Sequence, residues 1–231
     1  MGDVGELVGY VLDGPVATVT MDDGKVNALS PAMFEQLGAA FDRAEADGAA
    51  VVLTGRPGRF SGGFDLGVLQ QGGAESVDLV RTGFELSVRL LSFPAPVVVA
   101  CTGHAIAMGA FLVLSGDVRI GVDGAFKISA NEVAIGLTVP FAAVELMRQR
   151  LTPAAFQRAV ATAAVFSPAE ALQAGFLDQV VPPDDLAAAA AATALALCGL
   201  DRDAHVASKL RARSAGLDAM RAGIAAELVP S

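Results

Sequence analysis

The stretch from residue 97 to residue 115, VVVACTGHAIAMGAFLVLS, contains no Asp, Glu, Lys or Arg and constrains the fold more than any other segment. Its length is close to that needed to cross a bilayer. However, Thr102-Gly103-His104 interrupts it, and neither flank carries the cluster of Lys and Arg that is typical of a membrane anchor. A buried strand, a glycine-containing turn and a buried helix account for the stretch better. The chain must therefore fold around a core that encloses both elements.

The overall composition supports such a core. The chain has 231 residues, of which 53% are hydrophobic and 18% charged, and its mean hydropathy is +0.53. A chain of this length suits one sizeable domain, or one domain with an appendage. The net charge of −9 disfavours a nucleic-acid partner, because phosphate binding needs a basic surface. An anionic ligand would have to be held by a local basic or amide-rich patch.

The cysteines and the N-terminus bear on the cellular compartment. Cys101 and Cys198 lie in apolar contexts without the spacing of metal ligands, which predicts free, reduced thiols. The N-terminal sequence MGDVGELVGY has neither the basic nor the apolar region of a signal peptide. We therefore expect a cytoplasmic protein without a membrane partner. No cluster of His, Cys and Asp in the sequence indicates a metal site.

Strand and helix patterns alternate along the first part of the chain, and helix patterns dominate the last part. Strand patterns occur within residues 7–21 and at 50–55, 97–101, 118–122 and 125–129. Helix patterns occur at 30–47, 77–92, 107–116, 185–198 and 201–228. Between them, 55–67 is typical of a glycine-rich loop and 70–76 of an exposed, mobile segment. The order predicts an α/β core at residues 1–180 and a C-terminal helical region at 181–231 that is not an independent domain.

Two strand-to-helix junctions carry the features that indicate chemistry. In RFSGGFDLG (59–67), two glycines precede a helix that opens at about Phe64, and in TGHAIAMGAFLVLSGD (102–117) a helix starts near Met108-Gly109. The first N–H groups of a helix have no intrahelical partners, so each junction can present a free amide to an anion. Two amides that converge on one oxygen would form an oxyanion hole. For either junction taken singly, an ordinary glycine-containing turn is the favoured interpretation.

Together with their surroundings, these junctions resemble the enoyl-CoA hydratase/isomerase (crotonase) superfamily. The resemblance covers about residues 5–215 and rests on five motifs in the family's order: KVNAL (25–29), VVLTG…GRFSGGFDL (51–66), PVVVACTGHAIAMGAFLVLSGDVRI (96–120), ANEVAIGLTVP (130–140) and FSPAEALQAGFLDQVV (166–181). It implies a crotonase-like ββα-spiral core with a C-terminal helical trimerisation region, in a homotrimer or a dimer of trimers. It also implies an acyl-CoA thioester substrate in fatty-acid metabolism. No separate cofactor is expected, because CoA is part of the substrate.

The resemblance implies an oxyanion hole made by two backbone amides. The matching residues are Phe64, just before Asp65, and Met108, just before Gly109. In the family these amides polarise the thioester carbonyl and stabilise the enolate. Met108 stands where many relatives have Gly. This departure changes the space around the hole, but the N–H donor is retained.

The resemblance also implies where CoA would be held. The matching segment is Lys25-Val26-Asn27-Ala28, in which backbone groups would contact the adenine, and Gly63 and Asp65 are further candidates at the first junction. Lys25 and Arg59 are the candidate cations for the phosphates in an otherwise acidic protein. Lys25 is equally compatible with a solvated surface lysine.

The motif SANEVAIGL (129–137) places one carboxylate, Glu132, among apolar neighbours. An ionised Glu is rarely buried unless it is paired or takes part in chemistry. The family's hydratases use two glutamates, of which one matches Glu132. The position of the other, three residues beyond Met108, is occupied by Phe111. This replacement favours a Δ3,Δ2-enoyl-CoA isomerase, which needs one base. An enoyl-CoA hydratase is the alternative, and a catalytically weak acyl-CoA-binding paralogue is a further one.

Four other polar residues are candidates for the site. Asp65 lies at the start of a helix, which favours capping or loop support over catalysis. Asp117 ends a helix and is interpreted as structural, and His104 is interpreted as a core histidine rather than a proton carrier. Glu85 is a candidate substitute for the missing second acid, although a solvated helix face is the favoured interpretation of its position.

Overall fold

A parallel sheet with helices on both faces organises the chain in the computed structural model, which describes residues 6–228. The strands are, in chain order, β1 (Val8–Asp13), β2 (Val16–Met21), β3 (Ala28–Leu29), β4 (Ala50–Thr54), β5 (Gly58–Ser61), β6 (Gly63–Phe64), β7 (Val97–Cys101), β8 (Gly103–Ile106), β9 (Val118–Val122), β10 (Ile128–Ser129) and β11 (Gln179–Val181). The helices are α1 (Pro31–Ala46), α2 (Leu66–Gln71), α3 (Gly73–Leu91), α4 (Met108–Leu114), α5 (Phe141–Arg150), α6 (Pro153–Thr162), α7 (Pro168–Ala174), α8 (Leu186–Leu197) and α9 (Arg202–Glu227). Short 3-10 turns occupy Val133–Ile135 and Pro183–Asp185.

The main sheet has six strands in the order β1-β2-β4-β7-β9-β11. Only the β1–β2 hairpin is antiparallel, and every other neighbouring pair is parallel. In β7, Val97 and Val99 belong to the core that includes α1, α3 and α4, whereas Val98 and Ala100 face a second core that includes α8. A sheet covered on both faces needs apolar residues at successive positions, which explains the continuous apolar runs of its central strands.

Two smaller sets of strands position the candidate site. β5, β8 and β10 form a three-stranded parallel sheet, and β3 pairs in parallel with β6. In the second pair, Ala28 lies opposite Gly63 and Leu29 lies opposite Phe64. The segment that precedes α1 is thereby joined to the first strand-to-helix junction.

Most of the predicted long elements are confirmed. Helix α1 begins as expected, because the Ser30 hydroxyl accepts a hydrogen bond from the Met33 N–H at 3.2 Å and Pro31 occupies the first helical position. The predicted strands at 50–55, 97–101 and 118–122 are β4, β7 and β9. The main sheet, with helices on both faces and a helical C-terminal part, confirms the predicted α/β fold.

The prediction was wrong or incomplete where elements are short. The expected loop at 55–67 contains β5 and β6, and the predicted strand at 125–129 is reduced to β10. Residues 70–76, expected to be a mobile segment, are the end of α2 and the start of α3. The break between these helices is at Gly72 and Gly73, both of which have positive φ angles. A pair of glycines here marks a sharp change of direction between two helices, not a long loop.

The C-terminal helices close over the core. α9 packs against α3 and α5, and its Lys209 ammonium lies 2.7 Å from Asp117 Oδ2, while Arg213 Nη1 lies 2.7 Å from Asp117 Oδ1. Asp117 Oδ2 also accepts a hydrogen bond from the Val97 N–H, so the structural role predicted for Asp117 is confirmed. The described residues do not include 1–5, which are half of the N-terminal MGDVGELVGY segment, or 229–231. Both ends belong to the two regions predicted from the sequence.

Within residues 6–228, no individual helix combines the length and the apolar composition that a membrane span requires. One pair, Pro183–Leu197 with Arg202–Glu227, meets the criterion only when taken together, and it bends by 104° at its break.

Candidate active site

The first junction runs from β5 through β6 into α2. Gly63 is buried with a φ of +93°, and Asp65 caps α2 by accepting a hydrogen bond from the Gly67 N–H at 2.8 Å. The capping role expected for Asp65 is therefore confirmed. The Asp65 N–H donates to the Leu29 carbonyl at 3.1 Å. Because neighbouring residues of a strand direct their N–H groups to opposite sides, the Phe64 N–H faces away from β3.

The second junction joins β8 to α4. Helix α4 begins at Met108, which confirms the predicted start, and Ala107 precedes it with a φ of +49°. A positive φ is uncommon for a residue other than Gly and is often found where a functional site constrains the backbone. As the first residue of the helix, Met108 has an N–H without an intrahelical partner.

The two junctions are in direct contact. A Cβ added to Gly63 would lie 2.9 Å from the Ile106 carbonyl oxygen and 3.1 Å from the Ala107 Cβ. A Cβ added to Gly109 would lie 2.5 Å from the Ser61 carbonyl oxygen. Glycine is required at both positions because backbone approaches backbone there. The structure thus brings the Phe64 and Met108 amides into one neighbourhood, as the oxyanion-hole prediction requires.

A cavity of about 200 Å³ lies beside the junctions and includes both of them and Glu132 in its wall. Its lining is predominantly apolar and consists of Gly62, Phe64, Leu66, Leu69, Val80, Phe84, Ala107, Asn131, Glu132, Ile135, Leu137, Thr138 and Pro140. Within the described residues, Glu132 is the one charged side chain of this wall. Phe64, Glu132 and Ala107, the residue before Met108, therefore border one cavity, and the role of the Phe64 and Met108 amides stays a prediction.

Glu132 is held between β10 and the 3-10 turn Val133–Ile135. Its carbonyl accepts hydrogen bonds from the Ile135 and Leu137 N–H groups at 3.0 and 2.9 Å, which fixes the backbone. The side chain is buried, with 7% of the residue exposed, and Oε2 has no hydrogen-bond partner among the described residues. Burial raises the pKa of Glu132, and a hydrogen bond with its own backbone offsets only part of this effect. A carboxyl group with a raised pKa can both accept and return a proton near neutral pH.

Phe111 lies behind the wall of the cavity. It is 1% exposed, and its ring centroid is 5.7 Å from that of Phe84, which does line the cavity. The Met108 side chain is fully buried as well. Neither Met108 nor Phe111 is therefore part of the cavity wall, and Phe84 lies between Phe111 and the cavity.

The segment predicted to hold CoA is largely engaged within the chain. The Asn27 side chain is fully buried, and its Nδ2 donates to the carbonyls of Met21, Arg59 and Phe60 at 2.9, 3.1 and 3.1 Å. These bonds use both hydrogens of the amide, so the side chain of Asn27 is a structural clamp with no donor left for a ligand. The Ala28 N–H is also occupied, since it donates to Asp23 Oδ2 at 2.9 Å.

Asp23 organises this segment, and the sequence analysis missed it. Its carboxylate accepts the N–H groups of Lys25, Asn27 and Ala28. Burial would raise the pKa of Asp23, but these three bonds hold it below its usual value. The sequence feature that could have indicated this role is an Asp in a predicted turn, since an Asp side chain can accept hydrogen bonds from the N–H groups that follow it, as in Asx turns. Lys25 is exposed on this loop, and its role toward the CoA phosphates stays a prediction.

Asn131 is a second residue that the sequence analysis missed. It lines the cavity next to Glu132, and its Oδ1 is buried without a hydrogen-bond partner in the described part of the chain. A buried acceptor without a donor is costly, which makes Asn131 a candidate contact for a ligand or a water molecule. Its position directly before Glu132 is the sequence feature that could have identified it as a site residue.

The remaining candidates lie away from the cavity. His104 Nδ1 accepts the Lys127 N–H at 3.1 Å, its ring packs edge-on against Phe126, and burial lowers its pKa, helped by the nearby Arg59 and Lys127 charges. Glu85 is exposed and lines a separate groove between α3 and α9, so it does not replace the missing acid.

Cys101 and Cys198 are both free, and burial raises the pKa of the Cys101 thiol to about 12. Among residues 6–228, no group of three or more His, Cys, Asp and Glu side chains is placed to hold a metal ion.

Comparison with known proteins connects this geometry to named enzymes. The chain is 33% identical to the probable enoyl-CoA hydratase EchA17 of Mycobacterium avium over 211 residues, which are 90% of this chain and 80% of the relative. The crystal structure of the probable enoyl-CoA hydratase EchA3 of Mycobacterium tuberculosis is 50% identical, with a TM-score of 0.93 over 95% of this chain and 94% of that one. An apo structure of that same protein, there described as an enoyl-CoA isomerase, is also 50% identical, with a TM-score of 0.92 over 96% of this chain and 98% of that one.

A more distant isomerase shares the fold. The human mitochondrial Δ3,Δ2-enoyl-CoA isomerase is 27% identical, with a TM-score of 0.88 over 95% of this chain and 91% of that one. The family model for enoyl-CoA hydratase/isomerase matches residues 13–229, almost the whole chain. The chain therefore belongs to the enoyl-CoA hydratase/isomerase family and has the crotonase fold.

Proposed function

We propose that the protein is an enoyl-CoA isomerase that moves a double bond from C3–C4 to C2–C3 of an acyl-CoA thioester with one glutamate. The observation that carries the proposal is the cavity wall, on which Glu132 is the one carboxylate of the described residues. The family acts on acyl-CoA thioesters, and both hydratases and isomerases occur among the similar proteins.

The proposed reaction uses the Glu132 carboxylate and the two amides of the predicted oxyanion hole. Glu132 removes a proton from C2, and the electron pair moves toward the thioester oxygen to form a dienolate. The Phe64 and Met108 N–H groups stabilise the negative charge on that oxygen. The protonated Glu132 then returns the proton at C4, which leaves the double bond between C2 and C3. No atom is gained or lost, and Glu132 ends in its starting state.

The environment of Glu132 favours this cycle. Its raised pKa narrows the free-energy difference between the carboxylate that accepts the proton and the acid that returns it. The apolar wall excludes water that would otherwise compete for the dienolate. Hydration would need a second acid or base on this wall, and the loss of such a group typically lowers a rate by about 10²–10⁴-fold.

One observation favours hydration as a second candidate. Asn131 Oδ1 and Glu132 Oε2 are both buried acceptors without partners, and both residues line the same cavity. A water molecule has two hydrogens and would satisfy two such acceptors. Asn131 would then hold the water that Glu132 activates, in place of the second glutamate.

An assay of both substrates separates the candidates. Purified protein is given a 3-enoyl-CoA and, separately, a 2-enoyl-CoA, and the initial rates of isomerisation and hydration are compared. We expect isomerisation to be the faster reaction. Dominant hydration would overturn the proposal, and an Asn131→Leu variant that lost this hydration would identify Asn131 as the second water ligand.

A further inference from the structure

The cavity has an exposed rim and a buried interior. Its rim is formed by Leu66, Ile135 and Leu137, whose exposed fractions are 60%, 55% and 50%. Two lining residues are buried, Glu132 at 7% and Phe84 at 0%. Phe84 is therefore the most deeply buried residue of the cavity wall, and we take it as the inner end. If the thioester lies at the Phe64 and Met108 amides, an acyl chain that enters the cavity runs toward the Phe84 ring.

The Phe84 ring is held in place by other aromatic side chains. Its centroid lies 5.7 Å from that of Phe111 and 6.5 Å from that of Phe64, and the Phe64 ring lies 6.1 Å from that of Phe34. Closely packed rings of this kind leave little room for a side chain to change rotamer.

Gly83 explains how the rings come so close to helix α3. A Cβ added to Gly83 would lie 2.6 Å from Phe64 Cε1 and 3.2 Å from Met108 Sδ. The Phe64 ring thus occupies the notch that this glycine leaves beside Phe84. The Phe64 and Phe111 rings thus both pack against Phe84 and restrict the rotamers that it can adopt.

We infer that Phe84, braced by Phe111, sets the upper limit of acyl chain length, and that the protein accepts short and medium acyl-CoA thioesters but not long ones. This inference rests on the proposed acyl-CoA site. The cavity measures about 200 Å³, below the roughly 300–1,000 Å³ of pockets that enclose larger ligands. A cavity of this size suits a short or medium acyl chain better than a long one.

Binding of saturated acyl-CoAs tests the limit without depending on isomerisation or hydration. Butyryl-, hexanoyl-, octanoyl-, decanoyl- and dodecanoyl-CoA are titrated calorimetrically against the full chain. Each buried methylene group is worth about fourfold in affinity, so affinity should rise with length and stop rising between hexanoyl- and decanoyl-CoA. Phe84→Ala should extend the rise and tighten dodecanoyl-CoA binding by about tenfold relative to the unchanged chain.

Two further variants separate an effect on the cavity from a general effect on folding. Phe84→Leu removes less volume and should give a smaller extension in the same direction. Phe93→Leu is the matched control, because Phe93 is equally buried but packs against Phe41, away from the cavity. It should leave the length profile unchanged.

The outcomes distinguish this inference from the proposed function. Binding with the same chain-length limit in both Phe84 variants would overturn the inference alone. Wild-type affinity that keeps rising through dodecanoyl-CoA would also overturn it. Failure of every acyl-CoA to bind the unchanged chain would overturn the proposed acyl-CoA site and the inference with it.

Discussion

Gly63 and Ala107 meet where the two strand-to-helix junctions touch: a Cβ on Gly63 would stand 3.1 Å from the Ala107 Cβ. The neighbouring Ile106 carbonyl would be closer still, at 2.9 Å. The spacing of the Phe64 and Met108 amides depends on this contact, because each amide follows directly after one of the two residues. The oxyanion hole is therefore sensitive to a single methyl group at residue 63.

Gly63→Ala should impair both stability and activity. The positive φ alone costs about 1–2 kcal/mol for a residue with a Cβ. The contact with backbone atoms adds strain that cannot be relieved by a flexible side chain, and a displacement near 1 Å at a reacting centre can cost about 100-fold in rate. We expect a loss of about 100-fold in kcat, measured with a saturating enoyl-CoA.

Gly14→Ala is the matched control for this change. Gly14 also has a positive φ, at +54°, but a Cβ there would meet nothing within 4 Å. Urea unfolding should show the smaller loss of stability for Gly14→Ala, with activity retained. Equal effects of the two variants would mean that backbone strain, rather than the junction contact, governs residue 63.

Glu132→Gln should abolish proton transfer while retaining ligand binding. Removal of a general acid/base lowers rates by about 10²–10⁴-fold, and the amide is nearly the same size as the carboxyl group. Turnover and the affinity for a saturated acyl-CoA are measured on the same preparation. Glu85→Gln is the control, since Glu85 lies in the groove between α3 and α9 and should keep full activity. Activity that survived in Glu132→Gln would show that another base acts.

The raised pKa of Glu132 predicts a pH-dependent stability difference between the wild type and Glu132→Gln. Because the native carboxyl binds its proton more tightly than the unfolded one, stability from this group is present below the ordinary pKa of 4.5 and is lost as pH rises through the raised value. The Gln variant has no such loss, so its relative stability should increase with pH over that interval and then level off. Urea unfolding at a series of pH values measures it, and a difference independent of pH would contradict the raised pKa.

Asn27→Ala should destabilise the fold by about 4 kcal/mol or more, since three carbonyls and the Asp23 N–H would lose their partner at about 1–3 kcal/mol for each unsatisfied group. Asn27 also has a positive φ of 54°. Asn27→Gly removes the same side chain but relaxes this backbone strain, and it should recover about 1 kcal/mol of the loss. Unfolding of both variants is measured with urea. A normal stability combined with weakened CoA binding would instead make Asn27 a ligand contact.

The parts of the molecule that the sequence predicted well are those determined by local patterns. Ser30 and Pro31 mark the start of α1 because a cap and a first-turn proline act within one helical turn. The long apolar run before Thr102 is a strand buried on both faces. Glu132 was identified because a carboxylate among apolar residues is rare enough to require a cause.

The parts that sequence reasoning missed depend on partners distant in the chain. β6 has two residues and exists because it pairs with β3, so no run of its own indicates it. Asn27 is a clamp because the carbonyls of Arg59 and Phe60 reach it, more than thirty positions away. Similarly, the separation of Phe111 from the cavity is set by Phe84 on another helix.

We expect Glu132 to work without a partner carboxylate, and therefore to support isomerisation rather than hydration. This expectation is tested most directly by giving the protein a 3-enoyl-CoA in water labelled with heavy oxygen and identifying the products by mass spectrometry at early times. We expect a 2-enoyl-CoA without label as the main product, and no such product from Glu132→Gln. A labelled 3-hydroxyacyl-CoA that forms as fast as the 2-enoyl-CoA would contradict it.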